Sequence, residues 1–315
     1  MITVKNVYKY YDSFCALDDL NFSIDQGEML GFVGANGAGK TTTLKILAGL
    51  HRPASGSVLF ENKSIYDNMY DYLKHIGYMP DFFGVYDNLK VSEYMAFFAS
   101  IHNITGTRFN AICERLLRLV HMEDRKNQYV DSLSRGLKQK LCLARCLIHQ
   151  PKLLILDEPA SGLDPKARIE MKQILQKLNQ QGMTIIISSH ILSELSQMCT
   201  HLGIIKNVRM VIKDSVSHIL GLENEARTLI VNVASDTVRA AEMLRFNENV
   251  KNLSYIGNEI RISFTGTDQE ASEILKVLLA NDIIVTEFRR EHGTLESLFL
   301  ELTSQEAEYE NKSHA

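Results

Sequence analysis

Apolar and polar positions alternate at the start of the chain. Val4, Val7, Phe22 and Ile24 recur at strand spacing, and Met29 to Val33 is continuously apolar. This predicts strands with turns at Asp12-Ser13 and Gln26-Gly27. A helical period follows at 40–49. Further strand-like runs are Val58 to Phe60, Ile76 to Met79, Leu153 to Leu156, Thr184 to Ser188 and Leu202 to Ile205. Helical periodicity fills 91–101, 109–120, 135–149, 165–180 and 191–199. Continuously apolar strands alternating with helices predict a parallel sheet covered on both faces, an α/β fold.

The pattern changes near residues 215–225, where a domain boundary is expected. Leu229 to Val233 reads as strand and Val238 to Leu244 as helix. Val250 to Tyr255 and Glu259 to Phe264 read as strands joined at Gly257-Asn258, followed by helix at Gln269 to Leu279 and strand at Ile283 to Phe288. The order βαββαβ is the split pattern of a small ferredoxin-like α+β domain. An amphipathic helix is expected at Leu295 to Leu302, then a polar, flexible tail over 304–315. The expected domains are therefore 1–215, with a helical subdomain over about 82–150, and 216–303.

Composition narrows the function classes. The 315 residues are 45% hydrophobic and 23% charged, ordinary globular proportions. The net charge of −4 gives no electrostatic reason to bind nucleic acid. There is no apolar run of membrane-spanning length, and Met1 to Lys5 leads directly into the first strand pattern, so neither a span nor a leader is expected. Membrane work by such a chain requires another chain to supply the membrane part. The five cysteines, Cys15, Cys113, Cys142, Cys146 and Cys199, are scattered and read as reduced thiols. Cys142 and Cys146 share one helix face, as a buried apolar pair or as half of a metal site that no neighbouring cluster completes.

Gly34-Ala35-Asn36-Gly37-Ala38-Gly39-Lys40-Thr41 is a Walker A phosphate loop between an apolar strand and a helix. Its glycines let backbone N–H groups turn toward phosphate oxygens at a helix N-terminus. Asn36, Gly37 and Gly39 belong to this cradle. Lys40 is expected to reach the outer phosphates, Thr41 to ligate Mg²⁺ and Thr42 to support an inner phosphate. Leu153 to Leu156 runs into Asp157 and Glu158, two acids at a buried strand end. A cation offsets the cost of burying Asp157, and Glu158 is placed to orient an attacking water. For Glu158 a helix-capping role is the alternative.

Leu133-Ser134-Arg135-Gly136-Leu137-Lys138-Gln139-Lys140 resembles the signature of the ATP-binding-cassette (ABC) superfamily. Ser161-Gly162-Leu163-Asp164 resembles its D-loop, and Ser188-Ser189-His190 its switch-histidine motif. The resemblance covers residues 2 to about 215 with every motif in family order. It implies a P-loop NTPase (RecA-like) nucleotide-binding domain with antiparallel β and helical subdomains, using ATP and Mg²⁺. It further implies that Tyr11 stacks on adenine, and that His190 contacts the γ-phosphate and positions water with Glu158. Ser134, Arg135 and Gly136 would face the γ-phosphate held by an opposite subunit, so the ATPase is expected to close as a homodimer or with a related ATPase. For Tyr11, an ordinary strand residue beside Tyr10 is the plainer alternative.

Two positions depart from the family pattern. The signature has Arg135 for its first central glycine and Leu137 for glutamine. Asp81, after Ile76-Gly77-Tyr78-Met79-Pro80, stands where the family has the Q-loop glutamine. Asp81 either still senses the metal through a loop shift or is a solvent-facing loop residue. These departures, with Thr294 to Thr303, resemble the branch of export ATPases that pair with separate six-helix permeases. The implied function is the ATP-hydrolysing subunit of an exporter, peripheral on the cytoplasmic membrane face through its permease. An importer ATPase with a ligand-sensing C-terminal domain and a soluble ABC ATPase of DNA repair or translation are the rival readings. The aromatic cluster after Asp81 divides: Phe82, Phe83 and Tyr86 are expected at a permease interface, and Tyr94, Phe97 and Phe98 in a helical core.

Overall fold

The computed structural model describes all residues except 83, 85, 87, 220–226 and 292–315. Phe83, the expected helix at Leu295 to Leu302 and the tail over 304–315 lie outside the described residues. The chain divides into two compact units, the first Met1–Val216, the second from Ser217 onward. No helix among the described residues is long and apolar enough to cross a membrane.

In chain order the first unit comprises β1 (Ile2–Tyr11), β2 (Phe14–Ile24), β3 (Met29–Val33), α1 (Lys40–Leu47), β4 (Ser55–Phe60), β5 (Lys63–Ser64), α2 (Met69–Leu73) and β6 (Ile76–Met79). Next are α3 (Val91–Ile101), α4 (Gly106–Leu119), α5 (Arg135–Cys146), β7 (Leu153–Asp157), α6 (Pro165–Gln180), β8 (Thr184–Ser189), α7 (Leu192–Ser196), β9 (His201–Lys206) and β10 (Arg209–Ser215). The central sheet has the order β10-β9-β3-β8-β7-β6. Its strands β9, β3, β8, β7 and β6 run parallel, and β10 adds an antiparallel edge. Every residue of β3, β7 and β8 is buried, as expected for strands covered on both faces. A separate antiparallel sheet, β2-β1-β4-β5, supplies Ile2, Val4, Leu17 and Val58 to a core shared with Leu30, Phe32 and Leu44.

The second unit comprises β11 (Arg227–Val233), α8 (Thr237–Arg245), β12 (Val250–Ile256), β13 (Glu259–Phe264), α9 (Asp268–Ala280) and β14 (Val285–Glu291). Its sheet is antiparallel with order β12-β13-β11-β14, the split βαβ arrangement. Leu229, Val231, Ile260, Ile262 and Phe264 pack with Ala240, Leu244, Ile274 and Leu278 in a core of its own.

The edges of several elements differ from the periodicity. The strand β10 was not expected. It is an edge strand, intermediate in exposure along most of its length, so no clean alternation marks it. The helix expected over 191–199 shortens to Leu192–Ser196, because its N-cap, Ile191, lacks a capping side chain and Thr200 already bonds the Met29 backbone. Phe97 is a correction. It is 44% exposed and meets Tyr86 edge-on at 5.3 Å instead of joining the core, whereas Tyr94 on the same helix is fully buried.

Candidate functional site: a phosphate loop beside an acidic strand end

The ends of β3, β7 and β8 bring the site together. β3 leads into the loop 34–39, and α1 begins at Lys40 with Gly39 as its N-cap. Gly39 has φ 103°, and a Cβ there would lie 2.7 Å from Leu17 Cδ2 and 2.9 Å from the Ala16 oxygen. The turn into the helix therefore needs glycine on both counts. Lys40 is buried, and its Nζ donates to the Gly34 oxygen at 2.6 Å and the Ala35 oxygen at 3.1 Å. Burial lowers its pKa, and the charges of Glu158 and Asp157 oppose that shift.

Asp157 ends β7 and is 1% exposed. Its Oδ1 accepts from Thr41 Oγ1 at 3.2 Å and from Ser188 Oγ at 2.6 Å. Asp157 and Ser188 face each other in the parallel β7–β8 register. Ser188 Oγ in turn accepts from the Glu158 backbone N–H at 3.0 Å. One serine thus fixes the Asp157 carboxylate and the backbone that carries the next acid. In the sequence Ser188 is marked as the first residue of the Ser188-Ser189-His190 motif, and nothing there points to its tie between Asp157 and the Glu158 backbone.

Glu158 has φ 49°, in the left-handed region that side chains other than glycine seldom adopt. Its carboxylate shares a 3.0 Å hydrogen bond with His190 Nδ1. Burial raises the Glu158 pKa, while His190 and Lys40 hold it down. His190 is more than half exposed and Glu158 largely covered, so the pair presents its imidazole to solvent.

The signature segment opens α5. Ser134 is its N-cap and accepts from the Leu137 N–H at 3.4 Å. The Arg135 guanidinium lies against Gly162, where a Cβ would come within 2.5 Å of Arg135 Cζ, and Gly162 has φ 67°. Gln139 Nε2 donates to the Ser161 oxygen at 3.1 Å, and Lys140 pairs with Glu170. The Ser161 N–H donates to the Glu158 oxygen at 3.0 Å, so this turn continues directly from Glu158. Asp164 caps α6 by accepting from the Ala167 N–H at 3.2 Å.

The remaining expected residues are placed as follows. Asn36 and Gly37 lie at the exposed crest of the loop, and Thr42 is half-buried in the first turn of α1. Tyr11 ends β1, exposed, with its ring edge-on to His51 at 5.9 Å. Asp81 follows β6 and is exposed. Gly136 packs toward Ala167. Cys113, Cys142, Cys146 and Cys199 are buried and Cys15 is half-buried.

Comparison with known proteins fits this arrangement. The ABC transporter family profile matches residues 17–161. The bacitracin transport ATP-binding protein BcrA of Bacillus licheniformis is 33% identical, over 96% of this chain and 97% of that one. The Nod factor export ATP-binding protein I of Burkholderia pseudomallei is 35% identical over 67% of this chain and 69% of its own. The dimeric structure of MJ0796, a bacterial ABC transporter cassette, superposes with a TM-score of 0.62 at 25% identity, over 69% of this chain and 99% of that one. With a phosphate loop, an acidic strand end and a signature helix in one unit, and a relative matched along nearly its whole length, this chain belongs to the ABC transporter family as an ATP-binding, ATP-hydrolysing subunit.

Proposed function

We propose that the chain is the motor of an exporter and that its hydrolytic centre is built on Lys40, Thr41, Asp157, Glu158 and His190. The continuous hydrogen-bond chain from Thr41 through Asp157 and Ser188 to the Glu158 backbone, with His190 on the Glu158 side chain, carries this reading. Asn36, Gly37, Gly39 and Thr42 contribute to the phosphate cradle. Tyr11 is the adenine-facing ring.

The donor set suits Mg²⁺. Asp157 is a buried carboxylate whose described hydrogen bonds come from two neutral hydroxyls, which makes a hard oxygen site completed by nucleotide phosphates. Thr41 and Asp157 would hold the ion, with Asp81 as an outer partner, and the ion would neutralise charge on the phosphates. Glu158 accepts a hydrogen bond from the attacking water, and its raised pKa brings it nearer the range of a useful general base. His190 holds the Glu158 carboxylate, and its exposed imidazole would meet the γ-phosphate. Lys40 supplies the fixed positive charge on the outer phosphates.

Ser134, Arg135 and Gly136 present a helix N-terminus to the γ-phosphate bound by a second copy. The D-loop, held against α5 through Arg135 and Gln139, would join them there with Asp164. Dimerisation is supported by the dimeric MJ0796 cassette, and export by the relative named for Nod factor export. A transmembrane permease would receive the motion, and Phe82, 91% exposed, and Tyr86, 53% exposed, are its proposed contact. That attachment would hold the chain at the cytoplasmic membrane face.

Two measurements test this reading. Glu158→Gln with Mg-ATP is expected to run as a dimer in light scattering, and a monomer at saturating nucleotide contradicts the closure. Affinity purification from detergent-solubilised membranes is expected to recover an integral membrane chain, with recovery reduced by Phe82→Ala. Recovery of the ATPase alone contradicts the permease assignment.

A further inference from the structure

Tyr78 carries a buried hydroxyl that has no hydrogen-bond partner among the described residues. Buried polar groups in folded proteins are nearly always satisfied, so a hydroxyl on the phosphate-loop side of the sheet is placed to take a partner that arrives with the ligand. Tyr78 is the third of the four residues of β6 and stands opposite Ile155 in the parallel pairing with β7. Side chains alternate along a strand, so Tyr78, Ile155 and Asp157 share one face. Tyr78 packs against the cluster that contains Leu44, Leu47 and Ile155, which places its ring on the α1 side of the sheet. Thr41, which bonds Asp157, belongs to the first turn of that helix. Burial first, then the negative charges of Asp157 and Asp81, raise the hydroxyl's pKa, so it stays a neutral O–H within reach of both fields.

Asp81 is one methylene shorter than the glutamine that its family place would hold, and it is exposed. A group between it and the metal-type carboxylate would extend its reach. We propose that Tyr78 is a positioning residue of the metal centre, its hydroxyl accepting a hydrogen bond from a metal-bound water and donating one to Asp81 when Mg-ATP is bound. The proposal rests on the metal reading of Thr41 and Asp157 above. It assigns to an aromatic residue on β6 part of the task of the missing glutamine.

The test is Tyr78→Phe in the full chain, followed by thermal unfolding with and without the imido analogue of ATP across a Mg²⁺ titration. Without nucleotide the variant should melt higher than the parent, because an unsatisfied buried hydroxyl has been removed. With the analogue, half-saturation by Mg²⁺ should need about fivefold more metal, the loss of one ordinary hydrogen bond. A lower melting temperature without nucleotide, or an unchanged Mg²⁺ requirement, overturns the proposal. The double variant with Asp81→Asn should be no worse than the more impaired single variant; effects that multiply overturn the bridge. Asp157→Asn separates the two levels. If it keeps the parental Mg²⁺ response, the metal reading fails and the proposal with it. If it loses that response while Tyr78→Phe keeps it, only Tyr78 is removed from the site.

Discussion

Glu158 combines three constraints in one residue: a left-handed backbone, a largely covered carboxylate and a hydrogen bond to His190. Strain of this kind costs on the order of 1–3 kcal/mol and persists only when surroundings fix it. Here the Ser188 hydroxyl and the Ser161 N–H pin the backbone on either side. Because burial raises the Glu158 pKa in the fold, the protonated form is favoured there. Its stabilising effect is present in acid, below the unfolded value, and is lost as pH rises through the raised folded value. Glu158→Gln should therefore raise the melting temperature near neutrality, and the gain should vanish in acid below the usual carboxylate range. Thermal unfolding at the two pH values checks this, and an equal gain at both would exclude ionisation as the cause. At His190, alanine should lower turnover while leaving equilibrium ATP binding within a few-fold, as steady-state kinetics beside a binding titration will show.

The helix α5 and the D-loop turn act as a joined pair of elements. Arg135 on Gly162, Gln139 on the Ser161 oxygen and Lys140 on Glu170 clamp the start of the signature helix to the segment that continues from Glu158. Gly162→Ala adds strain at φ 67° and displaces the Arg135 guanidinium. Turnover should fall between about 10- and 100-fold through misplacement of Glu158. ATP binding should be kept, and the defect should shrink in the Arg135→Gly background. A binding defect equal to the turnover defect would locate the damage in the phosphate loop instead. The phosphate loop and the buried strands were legible in the sequence because glycine spacing and continuous apolar runs are local signals. Neither the hydrogen-bonding role of Ser188 nor the place of Tyr78 was legible. Their importance comes from strand register, which sets Asp157 opposite Ser188 and Ile155 opposite Tyr78. The edge strand β10 escaped because its exposure does not alternate.

At the scale of the molecule, two units each bury their own core. The βαββαβ order of the second was visible because Ile260, Ile262 and Phe264 alternate with polar residues along β13 and Gly257-Asn258 marks its hairpin. Ile262 is fully buried there, and Ile262→Ala should destabilise that unit by about 2–5 kcal/mol. Calorimetry should show that loss in one transition and leave unmoved the transition that ATP raises; a shift of both would contradict separate cores. The proposed attachment to a permease and the proposed direction of transport turn on a partner chain, so sequence motifs reach them only through relatives. The chemistry is nearer to hand. Single-turnover hydrolysis of Mg-ATP by Glu158→Gln, measured beside its equilibrium ATP affinity, tests the central claim most directly. The account predicts affinity within a few-fold of the parent and hydrolysis slower by about 10²- to 10⁴-fold. Hydrolysis within tenfold of the parent, at full nucleotide occupancy, would contradict it.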